Sequence, residues 1–263
     1  MPNSSVHNEI QKRLRTIEDE HDVKILLAVE SGSRAWGFES KNSDYDARFI
    51  YVHPQDWYLS INIESQRDVI EYPIVDDIDI NGWDLRKALQ LLQKSNPGFV
   101  EWIQSPIVYE YKGSFHQKAK ELLPKVYSLE RGHYHYYHMA KSNFKQCLTK
   151  DYIPLKKYLY TLRALLSARW LELYQQPAPI EFARLCSILP NQISLKESLK
   201  QLVLQKKTNL ELDLSPFIEP IHSFITQELL RAESVIINDI YSIKETEPLL
   251  SDLFRSVLTE VWS

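Results

Sequence analysis

Glu30-Ser-Gly-Ser-Arg-Ala-Trp-Gly-Phe-Glu-Ser-Lys-Asn-Ser-Asp-Tyr-Asp46 is the stretch on which the fold of this chain turns. It follows Val23-Lys-Ile-Leu-Leu-Ala-Val29, a short β-branched apolar run bounded by polar residues, which predicts a buried strand. Ser31-Gly32-Ser33 breaks that strand, and Arg34 to Phe38 predicts a single helical turn. Glycine lets backbone come close to an anion, and the exposed amides at the positive end of a helix favour phosphate. The Ser33 hydroxyl adds a donor. Asp44 and Asp46, one residue apart on an extended segment, project from the same face. Two like charges so close repel unless a cation lies between them. Hard oxygen ligands suit Mg²⁺, which takes few carboxylates together with water and substrate phosphate.

Outward from this stretch, Tyr45 to Val52 reads as a second strand, closed by His53-Pro54, and Ile74 to Ile80 as a third. Asp79, between Ile78 and Ile80, is the candidate for a third carboxylate at a two-metal site. Asp77 shares its face, and Asp84 is the other alternative, although it also suits the N-cap of a helix over 85–94. A weak helical stripe at Ile10, Leu14 and Ile17 precedes the first strand. The first ~110 residues therefore read as α/β. From roughly residue 130 onward the pattern is helical: 152–174, 195–205, 216–237 and 248–262. The expected organisation is an α/β (α+β) domain over 1–120 and an all-helical domain over 121–263, with no internal repeat.

The composition bounds the function. The chain has 263 residues and a net charge of -4, which argues against bulk, sequence-independent binding to duplex nucleic acid while allowing a local basic cleft. Cys147 and Cys186 lie in no CxxC pair, so neither a zinc framework nor a disulfide scaffold is indicated. No apolar run reaches the ~18 residues that span a bilayer, and the N-terminus lacks a signal-peptide core; a cytoplasmic protein is expected, with no membrane partner. His133, His135 and His138 do not form a zinc spacing. Trp36, Trp83 and Trp102 are expected in core packing. Arg34 and Arg48 are expected either to touch substrate, to pair with the site carboxylates or to sit as surface charges.

Gly32-Ser33, Asp44-x-Asp46 and a later apolar-Asp-apolar resemble the DNA polymerase beta superfamily of nucleotidyltransferases. The fuller strings GSRAWGF, SDYDARFIYV, INGWDLRKAL, SNPGFVEWIQSPIVY and KKYLYTLRALLSARW, spread from about residue 30 to 180, are similar to its RNA-repair-associated, RlaP-type group. The resemblance implies a nucleotidyltransferase domain with a small mixed sheet, in which Asp44, Asp46 and Asp79 bind metal: two Mg²⁺ ions, with Mn²⁺ the alternative. It implies a helical domain that closes on the nucleotide. On that reading Gly32, Ser33 and Arg34 bind the NTP, as do Lys157, Tyr160 and Arg163 at i, i+3 and i+6 of one helix; the alternative is the solvated face of that helix. Residues 141–170 carry seven basic side chains against Asp151, a local +6 expected to form an anion-binding wall. The implied reaction moves NMP from an NTP, ATP among the candidates, to an acceptor hydroxyl. An RNA 3′ end is the first acceptor, with a protein or small-molecule hydroxyl as rivals. A catalytically silent nucleotide- or RNA-binding module is the alternative from another class.

Overall fold

The alternation of apolar and polar residues after Ile78 builds the strand that organises the sheet. In Ile78–Asp84 (β4) every second side chain is buried, so Ile78 and Ile80 face the core while Asp79 and Asn81 face away. A computed structural model describes residues 4–145, 152–208, 214–239 and 243–263. Its contacts divide the chain into two compact units. One comprises Met1–Ala35, Asp44–Tyr127 and Tyr241–Ser263, and the other Trp36–Ser43 and Ser128–Ile240. This differs from a single cut near residue 120. The last helix belongs with the first unit, and eight residues of the Gly-Ser motif loop belong with the second.

The first unit holds a mixed five-stranded sheet, in the order β3-β4-β2-β1-β5. Its strands are Lys24–Glu30 (β1), Tyr45–Val52 (β2), Val69–Glu71 (β3), β4 and Val108–Tyr111 (β5). β2 runs parallel to β4, and the other pairs are antiparallel. Helix α1 (Ser4–His21) lays Ile10, Leu14 and Ile17 on the sheet, against Ile25, Phe49, Ile78 and Ile80. Between the strands lie α2 (Gly32–Trp36), α3 (Gln55–Tyr58) and a 3-10 turn, Ile63–Ser65. After the sheet's central strands come α4 (Leu85–Gln93), α5 (Pro97–Gln104) and α6 (Phe115–Val126). The third strand was expected at Ile74 to Ile80, but Asp76 and Asp77 both have positive φ and form a two-residue hairpin turn. β4 therefore begins later, and Asp77 is exposed in the turn rather than beside Asp79 on a strand. Asn96 caps α5, accepting from the Gly98 and Phe99 amides, with Pro97 at the first helical position.

The second unit contains α7 (Leu129–Lys145), α8 (Leu155–Tyr174), α9 (Phe182–Leu185), a 3-10 turn at Cys186–Ile188, α10 (Ile193–Thr208) and α11 (Glu219–Glu233). A short ribbon, β6 (Tyr152–Pro154) with β7 (Leu214–Pro216), adds two strands where only helix was expected. Helix α12 (Ile243–Trp262) packs on α4 and α6 in the first unit. Glu172 and Glu228 join three helices of the second unit: Glu172 accepts from His133 and Arg231, and Glu228 from Arg169 and Arg231. That network engages His133 through Glu172. Cys186 is a free thiol, and Cys147 lies outside the described residues. Among the described residues, no helix is long and apolar enough to cross a membrane.

Asp84 is the N-cap of α4, accepting from the Arg86 amide at 2.8 Å and from the Tyr58 hydroxyl at 2.5 Å. Burial outweighs both bonds and raises its carboxyl from 3.8 to about 6. Between those values the folded chain binds more protons at Asp84 than the unfolded chain does, so this group's stabilisation falls as pH rises from about 4 to 6, by ~3 kcal/mol at most. Asp84→Asn retains the cap acceptor and removes the titration. In denaturant unfolding the variant should gain on wild type across that interval, and a stability difference that stays constant from pH 4 to 7 would refute the assignment.

Candidate active site

Strand pairing brings the carboxylates together. β2 and β4 are in parallel register with Asp46 opposite Asp79 and Arg48 opposite Asn81. The Arg48 guanidinium bridges the pair, at 2.9 Å from Asp46 Oδ1 and 2.6 Å from Asp79 Oδ2. It also donates to the Asp79 carbonyl at 2.8 Å. Burial, with Asp79 and Asp44 nearby, raises the Asp46 carboxyl above its ordinary range against the pull of Arg48. Asp44 stands just before β2 with its side chain exposed. Its carbonyl accepts from Arg34 Nε at 3.0 Å, and the Arg34 guanidinium lies 3.7 Å from the centre of the Tyr45 ring. Arg34 thus fixes the backbone that carries Asp44.

Gly32 has φ +59, and a Cβ there would lie 2.1 Å from Asp46 Oδ2. The close approach expected for a phosphate is therefore made, in this structure, by the Asp46 carboxylate. Helix α2 has only five residues, so its dipole is small and any phosphate here must rely chiefly on side chains such as Ser33 and Arg34.

Two residues not singled out in the sequence hold this arrangement. Glu30, fully buried at the end of β1, accepts from the Asp46 amide at 2.8 Å and from the Tyr109 hydroxyl. Burial raises its carboxyl to about 7. Ser105 Oγ donates to the Glu30 carbonyl at 2.6 Å, tying α5's end to the same point. The available signal was a glutamate closing an apolar strand; its partners, 16 and 79 positions away, carry no local pattern.

Asp84, by contrast, is a helix cap and Asp77 a turn residue, which leaves Asp79 as the carboxylate that faces Asp46. Among the described residues, no three histidine, cysteine or acidic side chains converge as a preformed metal centre. The donor set nonetheless suits a hard cation: two carboxylates share a face with only one positive group between them, and a third stands one residue before the strand.

In the second unit, Lys157 is half-buried and donates to Asn143 Oδ1 at 3.4 Å. Tyr160 packs edge-on to Trp36, with ring centres 5.2 Å apart. Arg163 is buried, its guanidinium 4.0 Å from the centre of the Trp36 ring. Tyr160 and Arg163 thus clasp the motif loop, and Arg163 is buried there rather than solvated. Two members of the expected basic wall are neutralised: Lys141 pairs with Glu233 and Arg169 with Glu228, acids supplied by α11. Lys150 and Asp151 lie outside the described residues. Trp83 and Trp102 stack at 3.7 Å in the first unit, as packing requires.

Residues 6–253 match the family described as the RNA repair pathway DNA polymerase beta family, RlaP. The chain belongs to that family. It is 41% identical over 249 residues to the uncharacterized protein YcgL of Bacillus subtilis (strain 168), covering 95% of each chain. A nucleotidyltransferase-like protein of Exiguobacterium sibiricum 255-15 aligns at 12% identity and a TM-score of 0.30 over 95% of this chain and 80% of that one, a likeness too low to support any argument. RlaP membership makes the chain nucleotidyltransferase-like, of the polymerase beta superfamily.

Two outcomes follow from this geometry. Gly32→Ala combines a positive φ with a collision at Asp46 and should cost ~1–3 kcal/mol in urea unfolding. In an Asp46→Ala background only the φ cost, ~1 kcal/mol, should remain; strict additivity would show that the collision is absent. Separately, Arg163→Lys keeps the charge but loses the flat stack on Trp36, and should lower stability by ~1–2 kcal/mol. A change within about 0.5 kcal/mol would return Arg163 to the solvated face.

Proposed function

We propose that this protein transfers a nucleoside monophosphate from an NTP to the 3′ hydroxyl of RNA. The acceptor oxygen bonds to the α-phosphorus, the bond from that phosphorus to the bridging oxygen breaks, pyrophosphate leaves and the hydroxyl proton passes to solvent. The observation that carries the reading is the in-register Asp46–Asp79 pair with a positive group across it. Asp44, Asp46 and Asp79 are the residues that would hold Mg²⁺, as two ions, with Mn²⁺ as the alternative. Bound there, the metal would lower the pKa of the acceptor hydroxyl and neutralise the triphosphate. Glu30 holds the Asp46 backbone, and Arg34 holds that of Asp44, so both carboxylates are aimed before substrate arrives. Ser33 and Arg34 are the nearest donors for phosphate oxygens. Arg48 competes with any cation entering between Asp46 and Asp79, and so sets its affinity. RNA as acceptor draws support from the family's description, and the cytoplasm is the compartment that offers both NTP and RNA.

One observation favours a second reading. Arg48 already occupies the space between the two carboxylates and offsets part of their charge, as a catalytically silent nucleotide-binding module would require. Incubation with each α-labelled NTP, Mg²⁺ and either pooled RNA or protein lysate separates the two. We expect labelled RNA and pyrophosphate, reduced about a hundredfold or more by Asp46→Asn or Asp79→Asn and less by Ser33→Ala. Label on protein would reassign the acceptor. NTP binding with no pyrophosphate release in any arm would establish the silent module.

A further inference from the structure

We propose that the groove between α9 and α10 in the second unit binds a short single-stranded segment of RNA; this rests on the reading of RNA as acceptor and names where its strand is held. The groove encloses about 400 Å³. Phe182, Leu189, Leu199 and Val203 make an apolar floor, and Gly37, at φ +85 with open space where a Cβ would be, stands at its edge. Lys196, Lys200 and Lys207 complete the lining.

These lysines fall at i, i+4 and i+11 of α10, within about 40° of one another around the axis and over about 16 Å along it. That length matches about five stacked nucleotides of one strand. All three are exposed, and among the described residues none is ion-paired; Lys196 donates only to Asn191 Oδ1, at 3.1 Å. Glu197, the acid of this helix, points about 80° off the middle of the lysine face. On α7 and α8, by contrast, Lys141 and Arg169 meet acids of α11. A row of unneutralised ammonium groups beside an apolar floor complements a strand that presents phosphates on one side and flat base or ribose faces on the other. In a chain of net charge -4 such a row is a local exception to the repulsion a polyanion otherwise meets.

The test measures binding of a fluorescein-labelled twelve-nucleotide RNA to the full chain without NTP or Mg²⁺, so its outcome is independent of whether transfer occurs. Lys196→Glu/Lys200→Glu should weaken binding about ten- to a hundredfold, and Lys200→Ala/Lys207→Ala should reduce the slope of log affinity against log salt by about 1.4. Val203→Asp, which leaves the lysines in place, should also weaken binding by about tenfold. RNA carrying 4-thiouridine should cross-link within residues 182–207. Wild-type affinity in all three variants, or cross-links confined to other segments, would overturn the proposal. So would an acidic peptide of equal charge that binds as tightly as RNA and displaces it. Labelled transfer to RNA by these variants at wild-type efficiency would remove the groove while leaving the transferase reading intact.

Discussion

Two carboxylates side by side on neighbouring strands are unstable alone, and much of the first unit is arranged around that repulsion. Asp46 and Asp79 face each other because β2 and β4 run parallel in a single register. The register is secured from the other face of the sheet. Ile78 and Ile80 are buried beside Ala47 and Phe49, so a slip of one residue would expose the isoleucines and drive Asp79 into the core. Hydrophobic burial thus sets the position of two charges that would not choose to be neighbours. The guanidinium of Arg48, two residues along β2, relieves them.

The same economy places Glu30. A charged carboxylate in the middle of a sheet is costly, and this one is tolerated because its oxygens are used by the Asp46 amide and the Tyr109 hydroxyl and because burial shifts it toward neutrality at ordinary pH. It links β1, β2 and β5 at the end of the sheet where the carboxylates emerge. Gly32 then allows the Asp46 side chain to lie against backbone where any larger residue would collide. The Gly-Ser motif therefore acts first on the protein's own carboxylate, and only through it on a substrate.

The motif is also where the chain passes between its two units. Gly32 to Ala35 belong to the first unit, Trp36 to Ser43 to the second, and Asp44 to the first again. Within the second unit, Trp36 and Phe38 are held by Tyr160, Arg163 and Phe182. The loop joining the Gly-Ser turn to the first aspartate is therefore anchored by long-range aromatic and cation–π contacts, not by its own hydrogen bonds alone.

What the sequence determined by itself was what depends on near neighbours. The spans of β1, β2, α4 and most of α8 follow from local periodicity, Asp84 from capping chemistry, and Asp79 from its place between two isoleucines. The family, too, is carried by contiguous strings. Only tertiary structure decided the rest. Three- and four-residue strands such as β3 and β5 are too short for a period to be seen. The basic window over 141–170 gives up Lys141 and Arg169 to glutamates 92 and 59 positions away, while on α10 Lys196, Lys200 and Lys207 form no ion pair among the described residues. Arg163 reads from its helical spacing as a nucleotide ligand or a solvated charge, and is buried on Trp36. Helix α12 returns to the first unit across more than a hundred residues. In each case the deciding partner is distant along the chain, and a contact's energy depends on separation in space, to which spacing in sequence is blind.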